Sequence, residues 1–170
     1  TGYIGSHTVL KLLINGYRVI TLDSNVNSSP LVIERIKEIL KKRNPQSIKN
    51  LTFIKGDLRD YELLNKIFKN AIKKNFAIDS VIHFCGLKSV ADSIMIPLQY
   101  WEVNIGGTIN LLKVMEKFSC RNIVFSSSAT VYGDNNEPPF KETFKLNPIN
   151  PYANTKVAIE TILSDIFHSN

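Results

Sequence analysis

Ile123-Val124-Phe125-Ser126-Ser127-Ser128 joins a short run of β-forming apolar residues to three serines, and Pro151-Tyr152-Ala153-Asn154-Thr155-Lys156 follows it downstream. The apolar run reads as a buried strand that ends at the serines. Ligands of open parallel sheets bind beyond the carboxyl ends of the strands, so the Ser128 hydroxyl is expected at a site. Pro151 suits the first turn of a helix, and Val157, Ile159, Ile162, Leu163 and Ile166 continue as its apolar face. Tyr152 and Lys156 are i and i+4, which stands a phenol and an ammonium on the same side of that helix.

These groups match one kind of chemistry. Oxidising a secondary alcohol means removing a hydride to a nicotinamide while a base takes the hydroxyl proton. A free phenol titrates near ~10 and is a poor base at neutral pH, but a fixed cation beside it favours phenolate. Tyr152 is therefore the candidate base, Lys156 its tuner, and Ser128 the group that hydrogen-bonds and orients the reacting oxygen. The plainer alternative makes Tyr152 a helix-packing residue and Lys156 a solvated charge. A dinucleotide pattern upstream weighs against that alternative.

The pattern opens the chain. Gly2 and Gly5 in Thr1-Gly2-Tyr3-Ile4-Gly5-Ser6-His7 have the spacing of the last two glycines of a phosphate-binding turn, where backbone N–H groups meet a pyrophosphate at a helix N-terminus. A helix is expected from Thr8 to Asn15, stopped by Gly16. Arg18-Val19-Ile20-Thr21-Leu22 then reads as a strand ending in Asp23. An acid at that distance beyond the glycines is where a ribose 2′-hydroxyl is gripped, and its charge repels a 2′-phosphate, so NAD is expected rather than NADP.

The remaining elements alternate. A helix is expected from Pro30 to about Lys42, a basic connector over Asn44 to Asn50, and a strand over Leu51 to Lys55 leading to Gly56-Asp57-Leu58. Asp57 suits either a hydrogen bond to an adenine amino group or a turn. A helix over Tyr61 to Lys74 precedes the strand Ser80-Val81-Ile82-His83-Phe84, followed by Cys85-Gly86-Leu87-Lys88. Gly86 permits close backbone approach to a cofactor, Lys88 has the reach of a ribose or substrate phosphate, and Cys85 reads as a small apolar filler. A long helix from Pro97 to Phe118 is interrupted by Asn104, Gly106 and Gly107, whose purpose is close packing or cofactor approach. The loop Asn135 to Pro151 is long enough to act as a flap. Strand–helix alternation with glycine turns at strand ends argues for an α/β fold with a doubly wound parallel sheet.

Composition excludes several classes. The 170 residues carry a net charge of +6, concentrated in the first half and partly on the helix around Arg35, Lys37, Lys41, Lys42 and Arg43. Without aromatic or motif support this reads as a solvated face, so no nucleic-acid partner is expected. No run of 18 apolar residues exists, so no membrane span is expected. Two cysteines are too few for a disulfide scaffold and match no metal spacing, which suits a reducing, cytoplasmic setting without metal.

With these residues assembled, the chain resembles the UDP-glucose 4-epimerases of the extended short-chain dehydrogenase/reductase family. The resemblance is carried by Gly2-Tyr3-Ile4-Gly5-Ser6-His7-Thr8, by Val81-Ile82-His83-Phe84 with Gly86-Leu87-Lys88, and by Phe125 through Gly133 with Asp134. It implies a Rossmann-like NAD-binding domain over residues 1–170. The family's first strand and its C-terminal substrate portion are lacking, so the chain is read as truncated at both ends and poorly folded and inactive by itself. It implies a UDP-sugar substrate oxidised at C4 through a 4-keto intermediate, and a homodimer formed by the Pro97–Phe118 and Tyr152–Phe167 helices. Ser128, Tyr152 and Lys156 are the implied catalytic set. Gly2, Tyr3, Ile4, Gly5, Asp23, Ser24, Asn25, Asp57, Leu58, Phe84, Cys85, Gly86, Lys88, Asn104, Tyr152 and Lys156 fall at cofactor-contact positions, and Lys88, Ser128 and Tyr152 near the substrate. Ser24 stands where many members carry Asn, and Cys85 where Ala is usual. The related dehydratases place an Asp–Glu pair where this chain has Ala129 and Thr130. A non-catalytic dinucleotide-binding protein would need no base, whereas the serine, tyrosine and lysine are all present.

Overall fold

The computed structural model of the protein describes residues 1–134 and 137–169. The chain divides into two compact units, Thr1–Leu58 and Arg59–Asn170, each built on its own parallel strand pair.

In the first unit, helix α1 (Tyr3–Ile14) begins directly after Gly2, earlier than the expected Thr8, so Gly5 is carried inside its first turn. It ends on a Schellman motif: Gly16 takes φ +86°, its N–H bonds to Leu13 O, and Tyr17 N–H bonds to Leu12 O. Strand β1 (Val19–Asp23) pairs in parallel with β2 (Leu51–Lys55), Val19 opposite Leu51 and Asp23 opposite Lys55. Helix α2 (Leu31–Arg43) crosses between them, with Pro30 as its N-cap. Its apolar stripe meets that of α1 in a core of Val9, Leu13, Val19, Ile36 and Leu40. The expected connector is instead a 3₁₀ helix, Pro45–Asn50, with Ser47 buried.

The second unit pairs β3 (Ser80–His83) with β4 (Asn122–Phe125), also in parallel, Ser80 opposite Asn122 and His83 opposite Phe125. Helix α3 (Tyr61–Lys73) starts on Asp60, whose carboxylate accepts from Leu63 N–H. It buries Leu64, Ile67, Phe68 and Ala71, and Phe68 stacks on Phe118 at 5.6 Å. A short helix not expected from the sequence, α4 (Val90–Met95), is capped by Ser89. The long helix is continuous in backbone conformation but not uniform. It runs as α5 (Pro97–Tyr100), a π-helical segment Trp101–Gly106, and α6 (Gly107–Lys117). Asn104, Gly106 and Gly107 therefore widen the helix rather than break it, and such π segments cluster at functional sites. A Cβ built on Gly106 would meet nothing within 4 Å, so close packing does not explain that glycine. A 3₁₀ turn, Ala129–Tyr132, follows β4, and α7 (Pro151–Ser169) closes the described chain. Asn135 and Asn136, the start of the expected flap, and Asn170 lie outside the described residues. Among those described, no helix is long and apolar enough to cross a membrane.

Every strand pair is parallel and every connection between paired strands contains a helix. Parallel strands joined through helices are what the alternation implies; among the described residues the ladders form one two-stranded sheet in each unit.

Candidate functional site

Helix α7 opens with Asn150 as its cap, the Oδ1 accepting from Ala153 N–H at 2.8 Å. Sequence reading credited Pro151 alone, although Asn ahead of Pro is itself a start signal. The first turns of α7 are its buried part: Tyr152, Ala153, Thr155 and Lys156 are all sequestered, Lys156 to 5% exposure. A lysine this enclosed requires partners. Its ammonium donates to Ser126 O at 2.9 Å, lies 4.6 Å from the centre of the Phe125 ring, and sits 5.9 Å from that of Tyr152. Burial pulls its pKa down to about 8, with Cys85 and Glu160 acting in the opposite sense. The solvated-charge alternative does not survive this geometry. The Tyr152 ring in turn meets that of Tyr100 edge-on at 6.5 Å, and Tyr100, also buried, donates its hydroxyl to Ser89 O.

The three serines leave β4 with different tasks. Ser126 offers its carbonyl to Lys156, and Ser127 donates to the Glu160 carboxylate, one turn farther along α7. Ser128 is extended, at φ −152° and ψ 143°, and its Oγ lies 2.8 Å from Thr130 Oγ1 and accepts from Thr130 N–H. No hydrogen bond joins Ser128 to Tyr152 among the described residues. The structure thus brings Tyr152 and Lys156 together directly, and ties the serine run to the same helix through Lys156.

Asn104, in the π segment, crosslinks the surroundings. Its Oδ1 accepts from Leu87 N–H at 2.8 Å, while its Nδ2 donates to Leu87 O and to Thr155 Oγ1, both at 3.0 Å. Thr155 passes the link on to Tyr152 O. The loop after β3 is thereby pinned beside α7, and Gly86, at φ +145°, leaves the room that Asn104 occupies: a Cβ there would fall 3.0 Å from Oδ1. Beneath this lies His83, 2% exposed, with Nε2 2.9 Å from Thr108 Oγ1. Thr108 donates to Asn104 O, so the imidazole supplies the N–H. Burial, with the Lys156 charge adding, lowers its pKa to about 4 and keeps it neutral. Phe84 and Cys85 are half-buried on this loop and Lys88 is exposed.

In the first unit, Gly2 caps α1 with no side-chain bond, and Ser6 N–H is the first to reach back, to Gly2 O. The N–H groups of Tyr3, Ile4 and Gly5 are the orphan donors of a helix N-terminus. The space a Cβ on Gly2 would enter is open, and the Tyr3 and Ile4 side chains are exposed. At the end of β1, Asp23 accepts from Asn25 N–H and from Ser28 Oγ, both at 2.8 Å. Burial raises its pKa, while the Asn25 N–H and the Ser28 hydroxyl act in the opposite sense. Asn25 takes φ +59° and donates through Nδ2 to Thr1 and Ser28, while its buried Oδ1 has no protein partner. Ser24, Asp57 and Leu58 are half-buried at the ends of the two strands. Among the described residues, no group of His, Cys, Asp and Glu is arranged to hold a metal ion.

Residues 1–170, the whole chain, match the family described as GDP-mannose 4,6 dehydratase. The chain belongs to that family. Within it, the chain is 48% identical over 168 residues to UDP-glucose 4-epimerase GEPI48 of Cyamopsis tetragonoloba, covering 99% of this chain and 45% of that relative. The UDP-glucose 4-epimerase of Bifidobacterium longum, solved in complex with NAD+ and UDP, superposes with a TM-score of 0.87 at 39% identity, over 99% of this chain and 47% of that one. The epimerase of Stenotrophomonas maltophila, with bound NAD and formylated UDP-arabinopyranose, gives 0.85 at 39% identity, over 97% and 46%. The chain therefore spans about half the length of the relatives it matches. The fold is the Rossmann-like, NAD-binding kind found in these epimerases.

Proposed function

We propose that the protein interconverts UDP-glucose and UDP-galactose by reversible oxidation at C4 of the sugar, with NAD as its resident cofactor. The observation that carries this reading is the buried Lys156 ammonium beside Tyr152, on the first turns of α7, hydrogen-bonded to the strand end that precedes Ser128. Burying a cation is costly, and binding alone gives no reason to place one against a phenol. The open space at Gly2, the orphan N–H groups after it and the unpartnered Asn25 Oδ1 fit a dinucleotide, with Asp23 favouring NAD over NADP.

When bound, NAD supplies the hydride acceptor and later the donor. The chain's own residues handle the proton and the geometry. Tyr152 takes the proton of the C4 hydroxyl as the 4-keto sugar forms, and returns it when the opposite face is reduced. Lys156, held as ammonium near neutral pH, is the cation that stands beside that phenol. Ser128 hydrogen-bonds the reacting oxygen once a substrate competes with Thr130. Asn104, Gly86 and Thr155 hold the loop of Phe84, Cys85 and Lys88 against α7 for cofactor and substrate. Asp57, Leu58, Ser24, Tyr3, Ile4 and Gly5 are the proposed contacts at the adenosine and pyrophosphate end.

The family's dehydratase label offers a second reaction, loss of water from the 4-keto sugar. Proton donation to that step calls for a carboxyl after the serine, and Ala129 and Thr130 have none, the Thr130 side chain being spent on Ser128. Exposed Leu98 and Trp101 on the Pro97–Phe118 helix and Phe167 on α7 support a homodimer through these two helices. We place the protein in the cytoplasm, as its cysteine content favours. The 170 residues alone, about half of a relative's length, are proposed to be inactive. Incubating the purified full-length protein with UDP-galactose and NAD tests the reading. UDP-glucose is the expected product, and a 4-keto-6-deoxy sugar nucleotide would make the protein a dehydratase instead.

A further inference from the structure

Lys156 is not the only charged group with which α7 reaches the serine run. Glu160, at i+4 from Lys156, is half-buried and its Oε1 accepts a hydrogen bond from the Ser127 hydroxyl. Two successive residues of β4's exit are thus tied to two successive turns of one helix: Ser126 through its carbonyl to Lys156, and Ser127 through its hydroxyl to Glu160. Ser128 is extended, and neighbouring side chains along extended backbone point to opposite sides. Anchoring Ser127 toward α7 therefore fixes which way Ser128 faces.

We propose that Glu160 is a positioning residue for the reaction above: through Ser127 it sets the orientation of Ser128, and its charge helps keep Lys156 an ammonium. The inference rests on the functional reading only for its kinetic part. The groups that face Lys156 are Glu160 and Tyr152 on its own helix, His83 on β3, Cys85 on the following loop, and the Phe125 ring and Ser126 carbonyl at the end of β4. His83 is neutral, and Cys85 and, to a lesser degree, Glu160 draw the lysine's pKa upward against burial. Removing the Glu160 charge while keeping an acceptor for Ser127 should therefore lower the Lys156 midpoint below about 8.

Glu160→Gln and Ser127→Ala separate the two halves of the role, since the first keeps the clamp without the charge and the second keeps the charge without the clamp. The 13C chemical shift of the Lys156 Cε, followed by NMR across pH 6–11 on the folded full-length protein, gives its midpoint without any turnover. The expected result is a downward move of about half a pH unit or more in Glu160→Gln, with the alkaline limb of kcat moving alongside. Ser127→Ala should lose roughly 10- to 100-fold in kcat with KM changed by less than about twofold, as misplacement of Ser128 requires. An unchanged Lys156 midpoint in Glu160→Gln, or an unchanged kcat in Ser127→Ala, overturns the proposal. If the full-length parent protein turns over no UDP-sugar, the functional reading fails while the NMR midpoint still decides whether Glu160 governs Lys156.

Discussion

Replacing Gly133 with Ala should damage the turn behind Ser128 more than any surface change of the same size. Gly133 sits at φ +61° and ψ −151°, a region essentially restricted to glycine, immediately after the 3₁₀ turn Ala129–Tyr132. A Cβ there would fall 2.1 Å from Asn147 O, where ordinary contact begins near 3.4 Å, so the Asn147 peptide must retreat by roughly an ångström. That peptide is tethered, because Asn147 N–H donates to Val131 O at 2.9 Å. Backbone strain of about 1–3 kcal/mol and a compromised hydrogen bond of about 1 kcal/mol give a loss of about 2–4 kcal/mol. For a chain of this size that corresponds to a Tm lower by roughly 4–16 °C. Gly106→Ala is the matched control. Its φ of −57° and ψ of −46° are helical and its Cβ would meet nothing within 4 Å. Ala there should stabilise by about 0.4–1 kcal/mol. Thermal unfolding followed by circular dichroism reads both. A Gly133→Ala protein melting within a degree of the parent, or a Gly106→Ala protein losing as much as Gly133→Ala, would refute the reasoning.

Two further outcomes follow from buried polar groups. Asn104→Leu strips partners from Leu87 N–H, Leu87 O and Thr155 Oγ1, and should cost about 2–4 kcal/mol in urea unfolding; Asn104→Asp should cost more, since it turns an oxygen toward Leu87 O. His83 is neutral in the folded chain, with a pKa near 4 against 6.5 when exposed, so the unfolded state binds more protons between those values. Stability should therefore fall as pH drops from about 6.5 to about 4, by on the order of 3 kcal/mol, and His83→Gln should flatten that slope in acid-unfolding curves.

Most of the scaffold was legible because its signals are local. Short apolar runs rich in β-formers gave the four described strands to within about a residue, and Tyr152 and Lys156 lie a helical turn apart by sequence spacing alone. Ser89 with Asp92 was also a readable cap, and the short helix it starts was overlooked for want of apolar length. The 3₁₀ helix at Pro45–Asn50 looked like a polar connector because Ser47 is buried by packing that composition does not reveal. The site itself was half visible. Burial of Lys156 depends on Phe125 and the Ser126 carbonyl, 30 residues away, and Asn104 finds Thr155 across 51 residues. Long side chains give no hint in sequence of which partner will enclose them. Glu160 was equally present on the page, one turn past the lysine, but its meaning lies in Ser127.

The central claim is that the Tyr152 phenol, beside a buried ammonium, moves the proton of a sugar C4 hydroxyl. Comparing single-turnover conversion of UDP-galactose to UDP-glucose by the NAD-loaded full-length parent protein and by its Tyr152→Phe variant measures it most directly. The account predicts a loss of roughly 10²- to 10⁴-fold with cofactor binding intact; turnover at the parent's rate without the phenol would contradict it.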